Sequence, residues 1–305
     1  MENERNTDSA LGPGSQVKKP KKKMNPVLKK RKIQEWVRIC VQILFFFTAP
    51  SVYASAFTGI KNVFVSIGNG NPLQMSAFLV QLFIVCGFTM LFGRYFCGWA
   101  CAFGAVGDWI YKFSSFIQKK IKKKLPRLPE KAVPVLQKLK YAVLVGILAL
   151  SFTGNNTLSA KYGPWTPFSM IISGRFDVFT SGNYTVALVL LAVIIVGMAF
   201  RERFFCQFLC PMGAVFSLLP NLPLLGLKRN SDACPKNCGA CKKNCPVNVM
   251  IDDGSLRQGE CIRCGKCSGI CPRGNLSSFF GKLKGNELIP DLLRGAVLMA
   301  ILVLM

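Results

Sequence analysis

The sequence predicts an all-α membrane protein: four transmembrane helices in two repeated hairpins, followed by a small cysteine-rich cytoplasmic domain. Three observations carry this. Hydrophobic residues make up 51% of the 305-residue chain while its formal net charge is +25. Soluble domains seldom combine the two, whereas long apolar runs separated by lysine-rich stretches produce both. One sequence pattern ends each hairpin. All of the 14 cysteines except Cys40 and Cys86 fall in tight C-x2-C or C-x3-C groups, unlike the framework of a secreted disulfide protein.

The elements follow in order. Residues 1–33 form a polar, basic tail with Lys18, Lys19, Lys21, Lys22, Lys23, Lys29, Lys30, Arg31 and Lys32, expected to be disordered. It lacks the short apolar core and cleavage site of a signal peptide, so the first apolar run is expected to stay as an anchor. Four runs approach the roughly 20 residues that a helix needs to cross a bilayer: Trp36–Phe57, Ser76–Phe92, Leu139–Phe152 and Asn183–Phe200. The third must borrow from Val133–Leu136, and Pro50 predicts a kink or early exit in the first. Hairpin 1, with an interfacial helix, occupies 34–134 and hairpin 2 occupies 135–227. The cysteine-rich domain covers 228–282, and an apolar segment fills 283–305.

Lysine and arginine set the orientation. The tail, the 94–138 segment with Lys119, Lys120, Lys122, Lys123 and Lys124, and the chain after Arg201 are basic. The 59–75 and 154–182 loops carry only Lys61, Lys161 and Arg175. The positive-inside rule then puts the N-terminus and the cysteine-rich domain in the cytoplasm of a multi-pass protein of a prokaryotic inner membrane. The basic blocks read as orientation signals against membrane lipid. With no nucleic-acid module in the chain, no nucleic-acid partner is expected. Trp109–Leu125 alternates apolar and lysine residues at helical spacing, as a surface helix does. Arg294–Met305 is apolar but short: a half-span, a docking helix or part of a longer span.

The hairpins repeat each other. Arg94-Tyr95-Phe96-Cys97-Gly98-Trp99-Ala100-Cys101-Ala102-Phe103-Gly104-Ala105-Val106 matches Arg203-Phe204-Phe205-Cys206-Gln207-Phe208-Leu209-Cys210-Pro211-Met212-Gly213-Ala214-Val215. Ser55-Ala56 with Gly59 and Phe64 echoes Ser159-Ala160 with Gly163 and Phe168. Both hairpins run in–out–in, so a pseudo-two-fold axis along the membrane normal brings the C-x3-C motifs together near the cytoplasmic surface. If each motif lies on one helix, its thiols share a face. Cys97, Cys101, Cys206 and Cys210 then hold a further redox or metal centre, or form two pairs of inert thiols or reversible disulfides. Arg94 and Arg203 either stabilise thiolates or mark the lipid–water boundary. Cys40 and Cys86 are expected to pack as small hydrophobes, and Trp99 and Trp109 to anchor at the interface. Tyr162–Phe168 reads as an interfacial loop, or as the lining of a quinone pocket or an outside contact.

The cofactor signal lies downstream. Cys261-x2-Cys264-x2-Cys267-x3-Cys271-Pro272 is the bacterial ferredoxin run, and Cys234-x3-Cys238-x2-Cys241-x3-Cys245-Pro246 is a variant with one extra residue. In such pairs the fourth cysteine of each run serves the other cluster. One 4Fe–4S cluster would use Cys234, Cys238, Cys241 and Cys271, the other Cys261, Cys264, Cys267 and Cys245. Two four-cysteine zinc sites are the competing reading, although zinc ribbons separate their pairs more widely. The chain has no histidine, which excludes histidine-ligated haem.

Paired hairpins that each end in C-x3-C, followed by two such runs, resemble the NapH/MauN ferredoxin-type membrane proteins and the polyferredoxin part of the NosR regulators. The resemblance covers about residues 34–280. It implies a four-span membrane protein with a two-cluster ferredoxin-like domain, relaying electrons between a cytoplasmic donor or the quinone pool and a redox partner protein. A metal-handling or assembly factor for a partner enzyme is the alternative. No general base or nucleophile is evident, so an electron-transfer subunit is expected rather than a stand-alone enzyme. Two departures stand out: Ala102 replaces the proline that Pro211 retains, leaving helix termination after Cys101 less secure, and the Cys234–Cys238 gap is long.

Overall fold

The computed structural model describes residues 26–49, 52–72, 76–122, 132–153, 162–172, 174–180, 182–220, 228–230, 234–235, 238–249, 259–277 and 288–303. Lys18, Lys19, Lys21, Lys22, Lys23, Pro50, Lys123, Lys124, Ser159, Ala160 and Lys161 lie outside the described residues.

The chain is mostly helical. The first half contains α1 (Pro26–Thr48), α2 (Val52–Gly68), α3 (Ala77–Phe92), the short α4 (Tyr95–Trp99) and α5 (Ala102–Ile121). The second contains α6 (Val133–Gln137), α7 (Leu139–Phe152), α8 (Trp165–Ile172), α9 (Thr185–Phe200), the short α10 (Phe204–Phe208) and α11 (Pro211–Leu218). The cysteine-rich part adds α12 (Ala240–Lys243) and α13 (Lys266–Ile270), and α14 (Leu288–Val303) follows. A two-stranded antiparallel ribbon pairs β1 (Lys228–Arg229) with β2 (Leu276–Ser277), a small departure from an all-α chain.

The sequence repeat is visible in packing. In the first half α1 packs on α4 and α5, and α3 on α4; in the second α7 packs on α10 and α11, and α9 on α10. α5 lies along α9, joining the halves.

Several expectations are corrected. The apolar run Trp36–Phe57 is two helices, α1 ending at Thr48 and α2 starting at Val52. Proline disfavours the helical conformation at the residue before it, here Ala49, and offers no donor of its own. The 59–75 segment is helical as far as Gly68. Cys40 is exposed on α1 and Cys86 is half-buried. α5 begins directly after Cys101: its first turns are core, and only its second half exposes Phe113, Phe116, Ile117 and Ile121. Of the apolar tail, residues 294–303 belong to α14, whose Leu298 is fully buried and which packs on α1.

Among the described residues one stretch, Val133–Phe152, is long and apolar enough to cross a membrane, and only 17% of it is buried inside the protein. Ala77–Phe92 and Thr185–Phe200 are apolar but shorter. These helices show apolar side chains outward, including Phe83, Val145, Val189 and Val193. The buried core lies where α4, α5, α10 and α11 meet, and the largest fully buried side chains there are Trp99, Arg94, Arg203, Tyr95, Phe205, Phe208 and Phe216.

Candidate functional site

Two cysteine-lined cavities lie close together. The first, of about 40 Å³, is bordered by Cys245, Cys261, Cys264 and Cys267. Cys245, from the upstream run, thus lies with the first three cysteines of the downstream run. Their proximity is electrostatic as well as spatial: burial first, then Cys264, pushes the Cys245 thiol up to about 12. The other cross-pairing centres on Asn275, whose backbone N–H donates to Cys271 Sγ (3.4 Å) and whose side-chain amide donates to Cys234 Sγ (3.7 Å). Cys241 on α12 and Cys267 on α13 sit on helices that pack together. The four soft thiols of Cys245, Cys261, Cys264 and Cys267 fit 4Fe–4S ligation in their chemistry, and Asn275 links Cys234 with Cys271 from the two runs.

The second cavity, of about 10 Å³, is lined by Cys97, Cys101, Cys206 and Cys210 with Arg94, Phe103, Phe205, Met212 and Phe216. The expected one-helix geometry is not how these thiols meet. Cys97 lies in α4 and Cys101 is the N-cap of α5; Cys206 lies in α10 and Cys210 is the N-cap of α11. Each motif therefore spans a break between two helices. Pro211 occupies the first position of α11, where its fixed φ and missing N–H suit a helix start. Alanine starts α5 equally well, so Ala102 disturbs nothing there. Among the described residues no three cysteine, aspartate or glutamate side chains come close enough to hold a single ion; both thiol sets surround voids.

Charge is built symmetrically around the second cavity. Arg203 donates through Nε to Asp108 Oδ1 (2.8 Å) and through Nη2 to Asp108 Oδ2 (2.6 Å), and also to the carbonyls of Cys97 and Gly98. Arg38 pairs with the same carboxylate, and Gln42 donates to it at 2.8 Å. Arg94 donates to Gly259 O and Glu260 Oε2, both at 3.1 Å, and Lys140 pairs with Glu260. Burial opposes ionisation of both acids. Arg203 and Arg38 overcome it at Asp108, and Arg94 and Lys140 at Glu260, so both carboxyls sit below the usual carboxylate range. Ser217 holds the position that Asp108 has in the first repeat. The second carboxylate comes instead from Glu260, next to the ferredoxin run.

The arginines also explain the glycine in C-x2-G-A-V. A Cβ on Gly104 would collide with Arg203, and one on Gly213 with Arg94, so each arginine reaches across to the other repeat. Neither marks a lipid boundary: both are about 1% exposed.

The ferredoxin part is seated on these loops. Trp99, expected at the interface, is fully buried and donates from Nε1 to Arg263 O (2.9 Å). Gly98 lies so close to the Ile262 carbonyl that any side chain would strike backbone. Gln207, at the equivalent position of the second motif, donates to Pro246 O. Trp109 is half-buried against Phe46, with ring centroids 5.6 Å apart. Most of the aromatic Tyr162–Phe168 segment is helix and part of the core: Phe168 lies 4.3 Å from Phe103, and Trp165 packs on Phe57 and Phe205. Sequence reading missed Asp108, Glu260 and Gln207. One signal was available for the first: Asp108 is the single acid between Glu35 and Glu130, inside an otherwise apolar stretch.

The fold and site define an iron–sulfur electron-transfer protein of ferredoxin type. A family described as a 4Fe-4S binding domain matches residues 75–124, 184–228 and 267–290. An uncharacterized protein of Methanocaldococcus jannaschii is 30% identical over 238 residues, 77% of this chain and 92% of the relative. The regulatory protein NosR of Pseudomonas aeruginosa is 28% identical over 196 residues, covering 61% of this chain and 25% of the relative. The ferredoxin-type protein NapH of Haemophilus influenzae is 25% identical over 198 residues, 62% of this chain and 63% of the relative. The chain belongs to the NapH/NosR-like family of ferredoxin-type proteins. No solved structure matches it.

Proposed function

We propose that this chain is a multi-pass inner-membrane electron relay with two cytoplasmic 4Fe–4S clusters, one on Cys234, Cys238, Cys241 and Cys271, the other on Cys261, Cys264, Cys267 and Cys245. The observation that carries the reading is that Cys245 shares one cavity with Cys261, Cys264 and Cys267, and that this cavity is seated on the repeated C-x3-C loops through Gly98 and Trp99. The clusters supply one-electron chemistry when bound. The protein's own residues hold the ligands, shield the site from water and place fixed charge beside it. The membrane part of the reading rests on Val133–Phe152 and on the outward apolar faces of α3, α7 and α9, which suit contact with lipid. The four spans are the apolar runs carried by α1 and α3 in the first repeat and by α7 and α9 in the second. Residues 34–134 and 135–227 act as the two hairpin units and 228–282 as the cluster unit. A redox protein on the cytoplasmic side exchanges electrons with the clusters, and quinone or a second redox protein completes the circuit through the membrane unit.

Anaerobically purified protein tests this. About eight irons and about eight acid-labile sulfides per chain belong to these cysteines, with reduced-state EPR of interacting cubanes. The signals should be lost stepwise in Cys264→Ser and Cys238→Ser variants. Zinc at about two per chain without iron overturns the relay.

A further inference from the structure

We infer that Cys97, Cys101, Cys206 and Cys210 bind a further iron–sulfur centre of two-iron size, shared between the two repeats, with Arg94 and Arg203 as its positioning residues. This rests on the relay reading only in taking the chain to be loaded with iron and sulfide; the ligands are a separate set.

The first ground is charge. Around the four thiols lie the buried cations Arg38, Arg94, Lys140 and Arg203, which among the described residues pair with Asp108 and Glu260 alone. Two positive charges are left over in a region almost closed to solvent. Uncompensated buried charge is expensive, and neutral thiols, being weak acceptors without charge, do not cancel it. Four thiolates around two ferric irons and two sulfides carry a formal double negative charge, which matches the excess. The second ground is an orphan donor. Arg94 Nε is fully buried with no hydrogen-bond partner, although Arg94 borders the cavity. A thiolate or bridging sulfide is a far stronger acceptor for it than a protonated thiol, whose sulfur accepts only weakly. The third ground is spacing. No three of the described thiols are close enough for a single ion, and in a two-iron rhomb each iron takes two thiolates, never three. The aromatic wall of Phe103, Phe205 and Phe216 keeps the site dry.

The centre takes one electron at a time through a change of iron valence, with no bond made or broken. Its position beside Gly98, which touches the Ile262 carbonyl between Cys261 and Cys264, makes it the next station inward from the ferredoxin cavity.

The test uses full-length protein purified anaerobically in detergent. Wild type should contain about ten irons and about ten sulfides, and Mössbauer spectra should resolve a two-iron component at one fifth of the iron area. Cys97→Ser with Cys206→Ser should remove two irons and two sulfides and that component, leaving the cubane EPR signals intact. Arg94→Gln should keep the iron while shifting the midpoint potential of this component alone, a readout that a purely structural role would not move. Eight irons in both wild type and double variant overturn the inference and leave the relay intact. Loss of one iron without sulfide, or of four, overturns the two-iron assignment. If the double variant does not fold, the wild-type Mössbauer area decides alone. Iron confined to the two-iron component would sink the two-cluster relay and uphold this centre.

Discussion

Asp108 shows how much a single side chain organises in this chain. It accepts from Arg203, Arg38 and Gln42 while almost completely buried, so one carboxylate ties α1, α5 and the second C-x3-C loop together. Replacing it by asparagine leaves two guanidinium groups buried without a counter-charge, a change that costs roughly 3–5 kcal/mol where a buried pair is broken from one side. Asp177 offers the contrast: its pair with Arg175 spans 3.8 Å with both side chains more than 60% exposed, and Asp177→Asn should stay within about 0.5 kcal/mol. Denaturant or thermal unfolding of the two variants in detergent checks this, and equal effects would remove the organising role of Asp108. The same residue marks where sequence reading stops. The cysteines announce themselves by spacing, because ligation fixes how far apart thiols stand along the chain. Asp108, Glu260 and Gln207 act on residues 39 to 166 positions away, and no local pattern records such contacts.

At the scale of elements, period and punctuation were legible and continuity was not. Apolar runs gave α3, α7 and α9 nearly to the residue, and the repeated motif gave two equivalent corners. The run Trp36–Phe57 became α1 and α2 because a break at proline outweighs unbroken hydrophobicity, and the C-x3-C motif straddles two helices because the second cysteine caps the next one. α5 joins two environments in one helix. Its start is buried against Met198 and Arg203, while its end turns Phe113, Phe116 and Ile121 outward beside Lys119, Lys120 and Lys122. Such a face suits the boundary between headgroups and acyl chains, with the lysines reaching toward phosphate. Phe113→Trp and Phe116→Trp report on this directly. In nanodiscs containing bromine-labelled lipid, the added fluorescence should be quenched by the lipid label and little affected by aqueous acrylamide. Quenching by acrylamide alone would place this face in water or against a protein partner.

Across the whole molecule, the cysteine-rich part is keyed into the C-x3-C corners of the two repeats. Trp99, Gly98, Gln207 and Glu260 form the seat, and α14 flanks it, with Tyr95 donating to the Asp291 carbonyl. A rigid seat suits a relay, because one-electron transfer needs neighbouring centres held at fixed separation rather than brought together by diffusion. The seat also fixes topology: if the ferredoxin part is cytoplasmic, α4, α10 and the end of α5 must be at that surface, and the turn at Phe176–Phe179 must face the opposite side. On that proposed topology Arg175, exposed beside that turn, and Lys122, exposed after α5, would lie across the membrane from each other. Introducing Arg175→Cys or Lys122→Cys and treating intact spheroplasts with a membrane-impermeant maleimide should label the first at once and the second only after permeabilisation. Native Cys40, exposed on α1 within the apolar run, is replaced by serine in both variants to lower background. Labelling of both sites before permeabilisation would remove the spans that the apolar helices support, and labelling of Lys122→Cys alone would invert the protein and put its clusters outside the cytoplasm.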